Sequence, residues 1–196
     1  MLTAKFNLTL RRAVLAALLA GSSSLALADP LGYHVEIDTS AFSGAGFLDF
    51  AFIAGNSPAP GASATLSNFS GAFGALESQE GNVSGSVPGS LTFGNSGAYN
   101  DWFHNVTLGG KFAFNIVFGG EFLNTAGNAG TTFGVGLLDA SGTAYLGNVN
   151  GNLLQFELTP LNGGLPASIA GSTYANIASI SAVPEASEWM MLTGGL

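Results

Sequence analysis

Apolar and polar residues alternate along most of this chain. In residues 31–38, Tyr33, Val35 and Ile37 fall on one side and His34, Glu36 and Asp38 on the other. That period of two marks a half-buried strand. Residues 47–53 repeat the pattern with Leu48, Phe50 and Phe52, and residues 62–69 with Ala62, Ala64 and Leu66. The clearest alternation is in 111–118, where Phe112, Phe114, Ile116 and Phe118 interleave with Lys111, Ala113, Asn115 and Val117. Trp102, His104, Val106 and Leu108 align in 100–108, and Gly109-Gly110 separates the two segments, which predicts a hairpin between them. Further strands are expected at 132–139 (Phe133, Val135, Leu137), at 152–159 (Leu154, Phe156, Leu158) and at 172–182, with one or two short ones in 82–93 around Pro88-Gly89. Residues 71–81, 119–130 and 160–171 read as irregular or loop. No stretch after the leader carries a helical period. About eight to ten short strands with frequent turns predict an all-β fold, an antiparallel sandwich of jelly-roll type.

Composition narrows the chemistry. Hydrophobic residues make up 47% of the 196 residues, enough for a core, while charged residues make up only 8%. An ordinary soluble protein carries roughly 25%. Three of the four basic residues (Lys5, Arg11, Arg12) lie in the first twelve positions, which leaves Lys111 against twelve acidic groups. Nucleic-acid binding needs clustered Lys and Arg, so it is excluded. An anionic membrane surface is disfavoured for the same reason. The absence of cysteine removes thiolate chemistry and disulfides.

The two ends carry an address. Basic Lys5, Arg11 and Arg12 precede an apolar run, and Leu25-Ala26-Leu27-Ala28 places small residues for cleavage between Ala28 and Asp29. Residues 1–28 therefore read as a secretory signal peptide removed by signal peptidase. At the other end, Pro184 breaks regular structure and leaves an extended acidic segment around Glu185. Trp189 and an apolar run to Leu196 follow. Val183, Pro184, Glu185 and Trp189 resemble the sorting signal of PEP-CTERM proteins, the exosortase substrates of Gram-negative bacteria, with Ala186 where a second proline is usual. A membrane span needs ~20 apolar residues, so residues 183–196 read as the sorting motif plus the start of a transmembrane helix cut short. Ile37-Asp38-Thr39-Ser40, Leu48-Asp49-Phe50 and Asn100-Asp101-Trp102-Phe103 are also similar to small exported proteins of that kind. The resemblance implies export, exosortase processing, transient membrane anchoring through the tail, and a final location at the cell surface or outside the cell. Residues 29–182 are then expected to form a single β-sandwich domain.

Candidate chemistry within that domain is sparse. His34 and His104 lack the spacing of a zinc site, and no Gly-x-Ser-x-Gly elbow marks a nucleophile. Paired carboxylates could serve glycoside hydrolysis, and Glu36, Asp38, Asp49, Asp101, Glu121, Asp139 and Glu157 are available. Calcium takes oxygen ligands, for which Asp38, Asn100, Asp101 and Asp139 are the candidates. Tyr99, Trp102 and Phe103 beside Asn100, Asp101 and Asn105 form the one cluster that suggests an aromatic platform for a sugar. The leading expectation is a non-enzymatic protein of the cell surface or exopolysaccharide matrix. The alternative is a carbohydrate-binding module, and the third reading an exported glycoside hydrolase. An eight-stranded outer-membrane barrel is the architectural rival.

Overall fold

The computed structural model describes residues 31–56, 59–97 and 99–183. The leader, the Ala28–Asp29 cleavage pair and Pro184, Glu185 and Trp189 lie outside the described residues. Among the described residues twelve strands form: β1 (Gly32–Asp38), β2 (Gly44–Ala54), β3 (Ser63–Ser70), β4 (Phe73–Glu80), β5 (Val83–Gly85), β6 (Leu91–Gly94), β7 (Tyr99–Leu108), β8 (Lys111–Gly119), β9 (Thr131–Leu138), β10 (Leu154–Thr159), β11 (Ser168–Thr173) and β12 (Ala178–Ala182). One 3-10 turn, Glu121–Leu123, buries Phe122. No helix among the described residues is long and apolar enough to cross a membrane.

The strands make two six-stranded sheets. Sheet A runs β12-β1-β8-β3-β6-β5 and sheet B runs β11-β10-β9-β2-β7-β4. Named strands pair antiparallel throughout. The chain crosses from sheet to sheet at each step from β1 to β4, so β1-β8-β3-β6 is interleaved with β2-β7-β4. That interleaving is the order of a jelly roll. Both sheets are open, which distinguishes the fold from a closed barrel.

The alternation read from the sequence sets which face of each strand is buried. Val35, Ile37, Leu48, Phe50, Phe52, Phe112, Phe114, Ile116 and Phe118 are all buried to within 1%. The two inner faces meet through aromatic rings: Phe114 of sheet A lies edge-on to Phe50 of sheet B at 5.5 Å, and Phe93 and Phe118 pack on Phe133 at 5.8 and 6.1 Å. Each buried ring contributes roughly 1.5–3 kcal/mol from area alone, with ~0.5–1.5 kcal/mol more for the ring geometry.

Three expectations are corrected. The segments on either side of Gly109-Gly110 do not pair as a hairpin. β7 lies between β2 and β4 in sheet B, and β8 lies between β1 and β3 in sheet A. The turn is pinned to the β1–β2 connection instead: Thr39 donates to the Gly110 carbonyl through its N–H at 2.9 Å and its Oγ1 at 2.7 Å, while Gly109 N–H donates to Thr39 Oγ1 at 3.2 Å. Alternation fixes which side of a strand is apolar; it does not fix the neighbour. Residues 73–80, read as irregular, form the edge strand β4, which is exposed along almost its whole length. A strand whose one neighbour is β7, paired with shifts in register and exposed after Phe73, leaves no apolar alternation to read. The segment read as a single strand over 172–182 is two strands in different sheets: β11 begins at Ser168, inside the predicted loop, and β12 pairs with β1.

Candidate functional site

The outer face of sheet B carries the unusual chemistry. Gly134 and Gly136 stand on that face of β9, and both are buried. A Cβ at Gly134 would run into the Asn152 side-chain amide, and one at Gly136 would lie 3.3 Å from Tyr145 Cε1 and 3.5 Å from Asp49 Cβ. The bare strand therefore lets the 139–153 segment lie flat against the sheet. Asp139 starts that segment: it accepts from Ser141 Oγ, Thr143 N–H and Ala144 N–H, and these bonds hold its carboxyl below the usual carboxylate range. Gly147, at φ +77°, turns the segment where a side chain would strike Ile177 and Leu153. Leu146 N–H to the Leu137 carbonyl (2.8 Å) and Leu153 N–H to the Val135 carbonyl (2.8 Å) stitch it to β9.

This arrangement opens a shallow cleft of about 420 Å³ lined by Tyr145, Asn148, Asn150, Gly151, Asn152, Gln155 and Tyr174. Tyr174 follows β11, anchored by its N–H to the Leu153 carbonyl at 2.8 Å, and is 54% exposed; Tyr145 is 37% exposed. Asn148 is partly committed, donating to the Asn152 carbonyl at 2.6 Å and accepting from Asn150 N–H at 3.2 Å. Gln155 is oriented by Glu157, which also accepts from Thr132 Oγ1 at 2.9 Å. The cleft thus offers two phenol rings and four side-chain amides, with no charged side chain in its lining. Amides present donor and acceptor together, and phenol rings offer an apolar face with a polar tip.

Beside the cleft lies a carboxyl pair. In the β2–β7 register Asp49 stands opposite Phe103 and Ala51 opposite Asp101, so the two aspartates are diagonal neighbours on the outer face. Their Oδ1 atoms are both buried and meet no donor, and Asp101 is only 6% exposed. Burial, followed by the hydrogen bond and charge of Asp101, pushes the Asp49 carboxyl up to about 8. Asp49 therefore keeps its proton at neutral pH. Burial and the same two aspartates raise the Tyr99 phenol as well.

The aromatic cluster expected from the sequence is dispersed. Tyr99 is exposed at the start of β7. Trp102 faces the core at 3% exposure and donates from Nε1 to His104 Nδ1 at 3.2 Å. Phe103 faces outward but is stacked on Phe47, centroids 4.5 Å apart and planes 10° apart, and a Cβ on Gly142 would sit within 3.6 Å of both rings. Trp102 and Phe103 thus occupy opposite faces, and neither offers a free platform.

The four residues weighed for calcium are also separate. Asp38 ends β1 and is held below the usual carboxylate range by Ser40, through its hydroxyl first and then its N–H at 2.9 Å. Asn100 is buried and tied to Asn82 N–H (2.7 Å), the Phe52 carbonyl (2.9 Å) and the Gly97 carbonyl (3.1 Å). Asp101 points to the opposite side of β7, and Asp139 is spent on its own loop. Among the described residues no three His, Cys, Asp or Glu side chains group as a metal-binding set.

The cleft tyrosines went unnoticed in the sequence. Their one signal is the amide-rich run Asn148–Asn152, flanked by Tyr145 and Tyr174. Compared with family models, curated proteins and solved structures, the chain finds no match.

Proposed function

We propose that this is an exported, non-enzymatic protein of the cell surface or exopolysaccharide matrix whose β-sandwich holds polysaccharide in the Tyr145–Tyr174 cleft. The observation that carries the reading is the lining: two exposed phenol rings and four amides around an open cleft. A sugar ring presents C–H groups on its face and hydroxyls on its rim. Phenol rings suit the first and amides the second, and such sites combine an apolar surface with a few placed polar groups. The export part rests on the signal-peptide pattern and on the likeness of Val183, Pro184, Glu185 and Trp189 to a PEP-CTERM sorting tail. Signal peptidase and an exosortase are its expected processing partners.

The geometry favours holding over cutting. A glycosidase needs its two carboxyls ~5–9.5 Å apart, with the sugar between them. Asp101 stands diagonal to Asp49 and is only 6% exposed, which gives a sugar ring no access between the two carboxyls. Glu36 is engaged by Lys111 at 2.7 Å on the other sheet.

The test is retention of the purified protein on a polysaccharide panel that includes the host's own exopolysaccharide. Saturable retention is expected. Tyr174→Ala and Tyr145→Ala should each weaken it roughly tenfold, the effect of about 1.4 kcal/mol. Retention by neither the panel nor the host polymer, or retention indifferent to both substitutions, would refute the reading. Release of a reducing sugar from a retained polymer would move the protein to the hydrolases.

A further inference from the structure

We infer that the glycan taken by the cleft is uncharged, and that the single charge of the Asp49–Asp101 pair and that of Glu157 select it by repelling acidic polysaccharides. This deepens the polysaccharide-binding reading and rests on it.

The argument begins with where charge stands on the molecule. The lone basic residue beyond the leader, Lys111, lies on sheet A, where it is paired with Glu36 at 2.7 Å. His34 also belongs to sheet A, its Nδ1 2.8 Å from Asn115 Oδ1, and His104 is buried between the sheets. Among the described residues, then, the outer face of sheet B holds no cationic side chain. It holds acids instead, and they flank the cleft on two sides. Glu157 is hydrogen-bonded to the lining residue Gln155. Asp49 and the lining residue Tyr145 both pack against Gly136, within 3.5 Å of where its Cβ would be. Asp101 stands next to Asp49, nine-tenths buried, with Oδ1 facing no donor.

A uronate or sulfate group entering the cleft would meet amide dipoles but no counter-charge. Its desolvation would go uncompensated, since a buried or half-buried charge needs a partner. It would also lie within a Debye length (~10 Å at 0.1 M salt) of the Asp49–Asp101 pair and of Glu157, close enough for repulsion to act. The buried position of the pair reduces screening further. A neutral sugar meets none of these penalties, because its hydroxyls exchange water for amide donors and acceptors. Like-charge juxtaposition is a recognised means of rejecting a wrong partner.

The experiment uses the purified protein and polymers matched in backbone but not in charge: dextran with dextran sulfate, and hydroxyethyl cellulose with carboxymethyl cellulose. The host's exopolysaccharide is tested before and after chemical reduction of its carboxyl groups. Affinity is read by retention in about 20 mM and about 200 mM NaCl, on either side of a ~10 Å Debye length. The expected result is that the neutral member of a bound pair is retained at least roughly tenfold better in low salt, with the gap narrowing in high salt. The double variant Asp49→Asn/Asp101→Asn, which leaves the pair no carboxyl to ionise, should raise retention of the acidic member about threefold or more in low salt, with the neutral member unchanged. An acidic polymer retained as well as or better than its neutral partner, with that retention lost in Tyr174→Ala, would overturn the charge selection and leave the cleft assignment standing. Absence of any retention would remove the cleft assignment and the selection together.

Discussion

The two outer faces of this sandwich are built from the same alternation and treat charge in opposite ways. On sheet A, polar groups are matched across neighbouring strands: Glu36 with Lys111, His34 with Asn115, and Thr65 with Thr92 at 3.4 Å. These pairs are solvated. On sheet B, Asp49 and Asp101 are driven together beneath a covering segment, with no counter-charge and two acceptor atoms left without donors. The same sheet carries the glycines that admit Tyr145 and Asn152, and with them the cleft. Sheet A is an ordinary solvated surface. Sheet B accepts a local electrostatic cost beside its cleft, and perturbed carboxyls of that kind are what gather at functional sites.

Four perturbations test that contrast, beginning with the largest. Phe114→Ala removes a ring that sits between the sheets and packs on Phe50 and Phe69. A loss of about 3–5 kcal/mol is expected in chemical denaturation. Because both sheets share that core, stability should fall as one cooperative transition. Two separate transitions would show that the sheets are less interdependent than the ring contacts indicate.

Gly134→Val should cost about 1–3 kcal/mol, because its side chain enters the space of Asn152. It should also abolish retention on polysaccharide by lifting the cleft segment. The matched change on sheet A, Ala113→Val on the outer face of β8, should stay within about 0.5 kcal/mol and leave retention intact. Equal effects from the two would erase the difference between the faces.

The third perturbation is pH. The Asp49 carboxyl titrates near 8 in the folded protein, far above an unfolded aspartate. Between those values the folded state holds a proton that the unfolded chain has released, so stability falls as pH rises across the interval. The contribution is complete below the ordinary aspartate range and gone above about 8. Asp101→Asn removes the repelling charge and supplies an amide donor. It should flatten this slope and add about 1 kcal/mol or more near pH 9, read as the shift in denaturation midpoint. An unchanged slope in the variant would separate the two carboxyls.

The smallest effect belongs to sheet A. Glu36→Gln breaks an ion pair whose partners are 40% and 59% exposed, and should change stability by about 0.2–1 kcal/mol, less in high salt. A larger cost would mean that sheet A's surface is also under strain.

The sequence alone determined the orientation of most strands. Tyr33, Val35 and Ile37, or Phe112 through Phe118, announce their buried side because strand geometry repeats every two residues, a local property that needs no knowledge of neighbours. It also determined the acidity of the domain and the isolation of Lys111, since both are sums over residues. Tertiary structure decided the rest. Whether β7 pairs with β8 or with β2 depends on contacts between residues more than fifty positions apart, such as Asp49 with Phe103. No local pattern encodes that choice. The edge strand β4 was silent because, past Phe73, its side chains are exposed and no apolar alternation marks it. Trp102 and Phe103, adjacent on a strand, had to face opposite ways, but only the fold put Phe47 against Phe103 and so closed the outward ring as a platform. The carboxyl pair and the Tyr145–Tyr174 cleft exist only because β2, β7, β9 and the segment after β9 meet on one face. Their chemistry comes from proximity, and proximity across strands distant in sequence is what the fold adds to the chain.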